Sequence, residues 1–235
     1  MLAPVVAVAM MRCVLPLPVL GKKQIHRTAT HAGPLQCRAT LSPHCPGEPA
    51  VMTSTPEWPV AFFDDDYLRI YRPQFTPERT EAETRFIAAS LVAPEGAEVL
   101  DLACGVGRHA IGMAKRGFRV TGIDFNPRYL EIAAADAAQA DVQVTWREGD
   151  MRALGSVRMF DAAYSYFTSF GYFSDDDNER VLAEVARVLK PGGRFLLEMA
   201  NRDHLLTHPE QRTWKQREDG ALLMEETSVE LETSR

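Results

Sequence analysis

From residue 76 onward the apolar positions along the chain become regular. Thr76 is placed to cap a helix, with Pro77 at its first position, Glu78 in its first turn and Phe86, Ile87 and Leu91 on one face before Pro94 and Gly96 end it. AEVLDLA (97–103) is an apolar run of strand length. A glycine-containing turn leads into a helix from about 108 to 116, closed by Gly117, and FRVTGID (118–124) is a second strand. Asn126 caps a helix that starts at Pro127 and carries Tyr129, Leu130, Ile132 and Ala133. DVQVTWRE (141–148) alternates at period two as a third strand, and FDAAYSY (160–166) is a fourth. From Asp175 to Lys190, Val181, Leu182, Val185, Val188 and Leu189 share one helical face. Pro191, Gly192 and Gly193 break that helix before RFLLEMA (194–200), a fifth strand.

Strand and helix in alternation, with mostly apolar strands, predict an α/β fold: a doubly wound, mostly parallel sheet covered on both faces. Ligands in such sheets bind beyond the carboxyl ends of the strands, where strand order reverses. Chemistry is therefore expected just after residues 102, 124, 148 and 166. Past the fifth strand, residues 212–235 predict an antiparallel hairpin turning at Asp219-Gly220, with Leu222, Met224, Val229 and Leu231 on its second strand.

Composition narrows the class without changing that picture. With 235 residues, 46% apolar and 25% charged, the chain holds one full domain plus attachments and is neither collagenous, coiled-coil nor disordered throughout. No run of 18 apolar residues occurs, so no membrane span is expected. Residues 1–47 carry no acidic residue but contain Arg12, Lys22, Lys23, Arg27 and Arg38. The remainder then has 21 basic against 32 acidic residues, about −11 compared with −6 for the whole. So acidic a body argues against a nucleic-acid partner, with RNA engaged through a small local patch as the alternative. Cys13, Cys37 and Cys45 fit no zinc spacing, no metal site is expected, and Cys104 alone in the body reads as reduced and cytoplasmic.

Seven of the 15 prolines fall in the first fifty residues, which show no helical or strand period. Three readings stand for this segment: sequence upstream of a start at Met52, an organelle transit peptide, or a secretory signal. The expected organisation is a disordered or non-native extension (1–51), an N-terminal helical segment or lid (52–95), a ligand-binding core (96–200) and the start of an inserted hairpin (201–235).

At the first strand end, Gly105 and Gly107 allow a tight turn and close approach of a ligand, ahead of a helix whose free N–H groups face it. Taken alone, Gly-x-Gly-x-x-Ala suits a dinucleotide or a simple turn equally well. Asp124 ends the second strand, where a carboxylate can accept from both hydroxyls of a ribose or can cap the next helix. Glu148-Gly149-Asp150-Met151 follows the third strand. Asp150 there can accept from an exocyclic amine, and Met151 can face a ring.

VLDLACGVG, VTGIDFNP, EGDM and LKPGGRF, in that order over residues 97–200, resemble the motifs of the class I S-adenosylmethionine-dependent methyltransferases. The Gly-Asp-Met turn and the Lys-Pro-Gly-Gly break set the chain apart from nicotinamide-dependent dehydrogenases. The resemblance implies S-adenosyl-L-methionine as cofactor, with Asp101, Ala103, Gly105 and Gly107 around its methionine, Asp124 and Phe125 at the ribose, and Asp150 and Met151 at the adenine. It further implies methyl transfer to an O, N, C or S nucleophile of a small-molecule acceptor, which the absence of an Asn-Pro-Pro-Tyr string after the fourth strand favours over DNA or protein, or else a domain that binds the cofactor without turnover. Tyr71, Tyr67 and Arg72 precede the first long helix and could close over the cofactor. The aromatic run Tyr164–Phe173 would wall the acceptor site, giving Tyr166 (at the cofactor as well) and Tyr172 as catalytic candidates. His204, after the fifth strand, is the third. His109 reads as a helix-surface residue and Cys104 as a packing residue. The family sheet has two further strands that this chain lacks. The 194–200 strand is therefore expected to be a raw edge, and the chain a fragment, poorly soluble or inactive alone.

Overall fold

Six parallel strands in the order β1-β6-β5-β2-β3-β4 form the sheet of a computed structural model that describes residues 6–9, 62–155, 159–207, 210–216 and 222–228. In chain order the elements are β1 (Val6–Ala9), α1 (Asp65–Tyr71), a 3-10 turn (Arg72–Gln74), α2 (Pro77–Leu91) and β2 (Glu98–Leu102). There follow α3 (Arg108–Ala114), β3 (Arg119–Asp124), α4 (Pro127–Gln139), β4 (Thr145–Glu148), β5 (Phe160–Ser165), α5 (Asp175–Val188) and β6 (Leu189–Leu197). The expected α/β alternation and parallel sheet are what the chain adopts.

Local chemistry sets the helix starts. The Thr76 hydroxyl accepts from the Arg79 N–H at 3.2 Å, and the Asn126 side chain accepts from the Arg128 N–H at 3.0 Å. Each satisfies an amide that the first helical turn leaves without a partner. Period two then sorts the strands between two cores. Val99, Val120, Tyr164 and Leu196 pack with Ile87 and Leu91 of α2 and Met113 of α3. Leu100, Leu102, Ile123 and Phe195 point the other way, against Val181, Val185 and Val188 of α5. Fully burying side chains of this size contributes about 1.5–3 kcal/mol each.

Three boundaries differ from expectation. The third strand covers Thr145–Glu148 rather than 141–148, because residues 141–144 finish α4 instead: Asp141 takes a left-handed φ of 52° and the Val142 N–H donates to the Ala137 carbonyl. The α5 helix stops at Val188, and Pro191–Gly193 form a bulge inside β6 rather than a break before it. The register accordingly jumps from Phe160↔Leu189 to Ala162↔Arg194. Nor is the 194–200 run a raw edge. Val6–Ala9 pairs with β6 in parallel from Val6↔Arg194 to Ala9↔Leu197, so part of the segment expected to lie outside the fold is a strand.

A second compact unit contains α6 (Arg202–Thr207) and the antiparallel hairpin of β7 (Glu210–Gln216) and β8 (Leu222–Ser228). Its register runs from Glu210↔Ser228 to Gln216↔Leu222, as the sequence pattern required. The expected turn Asp219-Gly220, with Val229 and Leu231, lies outside the described residues.

At the far edge of the sheet, Gly122 of β3 stands opposite Trp146 of β4. A Cβ on Gly122 would lie 2.6 Å from the indole and 2.9 Å from the Cys104 sulfur, so hydrogen alone fits there. Gly122→Ala should therefore destabilise the first unit by about 1–3 kcal/mol through overpacking. Much of that loss should be recovered in Gly122→Ala combined with Trp146→Leu. Urea unfolding midpoints of the three proteins measure both effects.

Candidate functional site

One cleft opens over the carboxyl ends of β5, β2, β3 and β4, lined by residues of the first unit. Its floor is the turn after β2, where Ala103, Gly105 and Gly107 all take positive φ values of 59°, 55° and 74°. A buried carboxylate holds that turn. Asp124 Oδ2 accepts from the Gly105 N–H at 2.8 Å, and Asp124 Oδ1 accepts from the Asn126 N–H at 2.9 Å. Asp101 of β2 is buried as well and accepts from the Tyr164 hydroxyl at 2.9 Å. Burial raises both above the usual carboxylate range, and it carries Asp101 to about 7, where the Tyr164 hydrogen bond opposes the rise and the Asp124 charge adds to it.

Beyond β4, Asp150 and Met151 line the cleft, but the Asp150 carboxylate is already engaged by Arg152 through its Nη2 at 2.6 Å, its Nε and its backbone N–H. Arg152 also reaches Asp177 of α5 at 3.5 Å and lies 4.3 Å from the centre of the Phe173 ring. The turn after β4 is thereby tied to α5 by a residue of the cleft wall.

On the opposite side, the loop after β5 supplies Tyr166, Phe167, Ser169, Tyr172 and Phe173. Phe167 and Thr168 both take left-handed φ values, 71° and 57°, which side chains rarely adopt. Buried Glu198 holds them there, its carboxylate accepting from the Phe167 N–H at 2.9 Å and its carbonyl from the Thr168 N–H at 3.3 Å. The Tyr172 hydroxyl donates to the Thr168 carbonyl at 2.7 Å, and burial raises its pKa further. Tyr172 is thus held as a wall residue.

Behind that loop a charged cluster closes the cleft. Glu83 of α2 accepts from Arg79 Nε at 2.9 Å, from Arg108 Nη1, and from His109 Nε2 at 3.0 Å. Burial works against its charge, but the His109 hydrogen bond and the Arg108 charge outweigh it and hold Glu83 at about 2. Burial, reinforced by Arg108, lowers His109 to about 4. At neutral pH the trio is therefore an ionised Glu83, a cationic Arg108 and a neutral His109 that donates through Nε2. His109 is buried, not on the helix surface as its position after the glycine loop suggested; its helix turns that face toward Glu83.

Of the residues singled out from sequence, Ala103, Gly105, Asp124, Phe125, Asp150, Met151, Tyr166 and Tyr172 line this cleft. Asp101, Gly107 and Tyr71 do not. Asp101 is buried beneath the loop, Gly107 packs its backbone against the Trp146 indole, and Tyr71 is buried beside Tyr67 with ring centres 4.5 Å apart. His204 sits on α6 of the second unit, while the cleft described here is built from the first. Tyr67 lines the cleft too, as does His109 in place of the surface position expected for it, while linings that sequence reading passed over include Phe63, Phe75, Arg108, Tyr129 and Arg152. Arg108 and His109 follow the glycine motif directly, and that adjacency was the available signal.

Residues 99–193 match the family model described as a methyltransferase domain. The chain is 39% identical over 108 residues to the ubiquinone/menaquinone biosynthesis C-methyltransferase UbiE of Zymomonas mobilis, covering 45% of this chain and 43% of that protein. It is 37% identical over 112 residues to the S-adenosyl-L-methionine-dependent Diels-Alderase iccD of Talaromyces variabilis, covering 46% of this chain and 37% of that one. The chain thus spans less than half the length of either relative. Among solved structures it is similar in fold to an S-adenosylmethionine-dependent methyltransferase from Clostridium acetobutylicum, with TM-score 0.55, 19% identity, and coverage of 65% of this chain and 64% of that one.

The elevated Asp101 fixes a pH dependence. A carboxyl whose folded pKa lies above its unfolded value favours the fold while protonated. Stability should therefore fall as pH rises from about 4 to about 7 and level off above that. Asp101→Asn keeps the shape and cannot ionise. It should match the parent below about pH 4 and exceed it at pH 8 by an amount on the order of a few kcal/mol, read from urea unfolding at the two pH values.

Proposed function

We propose that this chain, a class I S-adenosylmethionine-dependent methyltransferase through residues 99–193, binds S-adenosyl-L-methionine in the cleft over the strand ends and directs its methyl group to a small-molecule acceptor. The observation that carries this reading is Asp124. Its carboxylate lines the cleft while accepting the Gly105 and Asn126 N–H groups, so the group that fixes the glycine turn also borders the space a ribose would fill. Gly105 fits the same ligand, since a Cβ there would meet nothing within 4 Å and the backbone borders open space.

The cofactor supplies a methyl already activated on a sulfonium, ready for an O, N, C or S nucleophile. This chain's residues then have to position and desolvate. Asp124 and Phe125 would hold the ribose, Met151 the adenine face, with Asp150 at its edge, and Ala103 and Gly105 the methionine end. The aromatic wall of Phe63, Tyr166, Phe167 and Tyr172 would exclude water from the transfer path and hold the acceptor. Positioning of this kind can supply roughly 7–11 kcal/mol. Tyr166 lies nearest in sequence to the strand end and remains the candidate for contacting the acceptor. The similarity to UbiE supports a small organic acceptor. The acidic body argues against nucleic acid, and the buried Cys104 thiol supports a reduced, cytoplasmic setting.

A second reading is favoured by the similarity to iccD, whose name pairs dependence on S-adenosyl-L-methionine with a Diels-Alder reaction. On that reading the cofactor is bound and the methyl is not transferred. Calorimetry on the full chain should show binding of S-adenosyl-L-methionine. Asp124→Ala should weaken it about a hundredfold or more, the loss of two hydrogen bonds to a charged group. Label from the methyl group should then appear in a pool of small metabolites. Binding without labelled product supports the second reading, and no binding overturns both.

A further inference from the structure

His109 lies in the first turn of α3 and is only 6% exposed, yet it borders the cleft. Its two ring nitrogens have different surroundings. Nε2 lies 3.0 Å from Glu83 Oε2. Glu83 is ionised and can only accept, so Nε2 carries the proton. A neutral imidazole has one N–H, which leaves Nδ1 as a bare acceptor. Among the described residues, none hydrogen-bonds to Nδ1. Several other polar side chains of the wall are already engaged. Arg108 is paired with Glu83, and Arg152 with Asp150 and Asp177. The hydroxyls of Tyr129 and Tyr172 donate to the carbonyls of Asp64 and Thr168. A buried acceptor without a partner is unfavourable, so Nδ1 calls for a donor on the ligand.

The rings around His109 say what carries that donor. Tyr166 meets the imidazole edge to face, 5.0 Å between centres, and the rings of Phe75 and Phe167 stand 5.6 Å apart on the same wall. Phe63 and Tyr172 face the cleft 5.8 Å from each other. Walls of this kind favour a planar, apolar body. A carboxylate would find both arginines of the wall already paired and would meet the Nδ1 lone pair with a like charge. We propose that His109 is a specificity-determining residue, accepting through Nδ1 a hydrogen bond from a substrate whose ring bears a neutral hydroxyl or amino group. The assignment deepens the methyl-transfer reading above and rests on it.

The test uses the full chain with S-adenosylhomocysteine bound and two probes of one shape: 2-naphthol, which donates, and 2-methoxynaphthalene, which cannot. Calorimetry at neutral pH should give 2-naphthol the tighter binding by about tenfold, the worth of one hydrogen bond. In nitrogen-15 spectra of histidine-labelled protein, 2-naphthol should move the His109 Nδ1 resonance upfield and 2-methoxynaphthalene should leave it in place. His109→Phe keeps a ring without the acceptor. It should still bind S-adenosylhomocysteine, which reports its fold, and prefer 2-naphthol by less than about twofold. His109→Asn, which returns an acceptor near the Nδ1 position, should regain part of the preference. Equal binding of the two probes by the parent, an unmoved Nδ1 resonance, or no binding of either probe overturns the assignment, whether or not the variants fold. A preference that survives in His109→Phe overturns it too and gives the contact to another residue. A parent chain that does not bind S-adenosylhomocysteine overturns the cofactor reading, and this assignment with it.

Discussion

Everything at this site depends on how a backbone loop with three consecutive alternate positions at positive φ is kept in place. Ala103, Gly105 and Gly107 turn the chain from β2 into α3, and the buried Asp124 carboxylate secures it by accepting the Gly105 N–H. Val106 packs among Tyr67, Leu68 and Tyr129, and Cys104 is buried, but the glycines between and after them bring no side chain, so the hydrogen bond to Asp124 fixes the Gly105 amide. The cost is that two acidic groups are buried on adjacent strands, and both are driven toward their neutral forms. A cationic ligand above the loop would shift that balance back, since an opposite charge favours the ionised carboxylate.

Charge compensation is arranged differently at the other end of the cleft. Glu83 takes hydrogen bonds from two arginines and a histidine, and that concentration of donors keeps it ionised despite burial. The arrangement orients His109 and Arg108 at once. His109, neutral, presents its ring edge-to-face to Tyr166, 5.0 Å between centres, and so braces an aromatic wall residue rather than carrying charge. Arg108, paired with Glu83, lines the cleft against the rings of Phe75 and Phe167.

What could be read in advance from the sequence was local. Thr76 and Asn126 cap helices through side chains two or three residues from the amides they satisfy, so spacing along the chain was enough. Asp124 and Gly105 could be placed because each sits at a strand end and parallel sheets collect ligands there. The Glu83–His109 contact joins α2 to α3 across 26 residues, and no periodicity encodes it. The inward face of His109 follows from how α3 leans on α2, a tertiary fact. The same holds for Asp101, whose strand-end position suggested the ligand while its side chain points beneath the loop. The Pro191–Gly193 bulge was misread for a related reason: Gly and Pro mark irregular backbone, but not whether a strand resumes on both sides of it.

The loop after β5 shows why the aromatic run is more than a packed lid. Two successive residues in left-handed conformations would each cost of order 1–3 kcal/mol unless the surroundings impose them. Glu198 imposes them, using a buried carboxylate whose pKa burial itself raises. A chain seeking only apolar cover could have used a relaxed loop with the same rings. Holding Phe167 in this conformation instead places its ring against both Arg79 and Arg108, at 5.2 Å and 5.4 Å. The strained backbone thus sets one ring of the aromatic wall against two guanidiniums and joins the loop after β5 to the Glu83 cluster as a single structural unit.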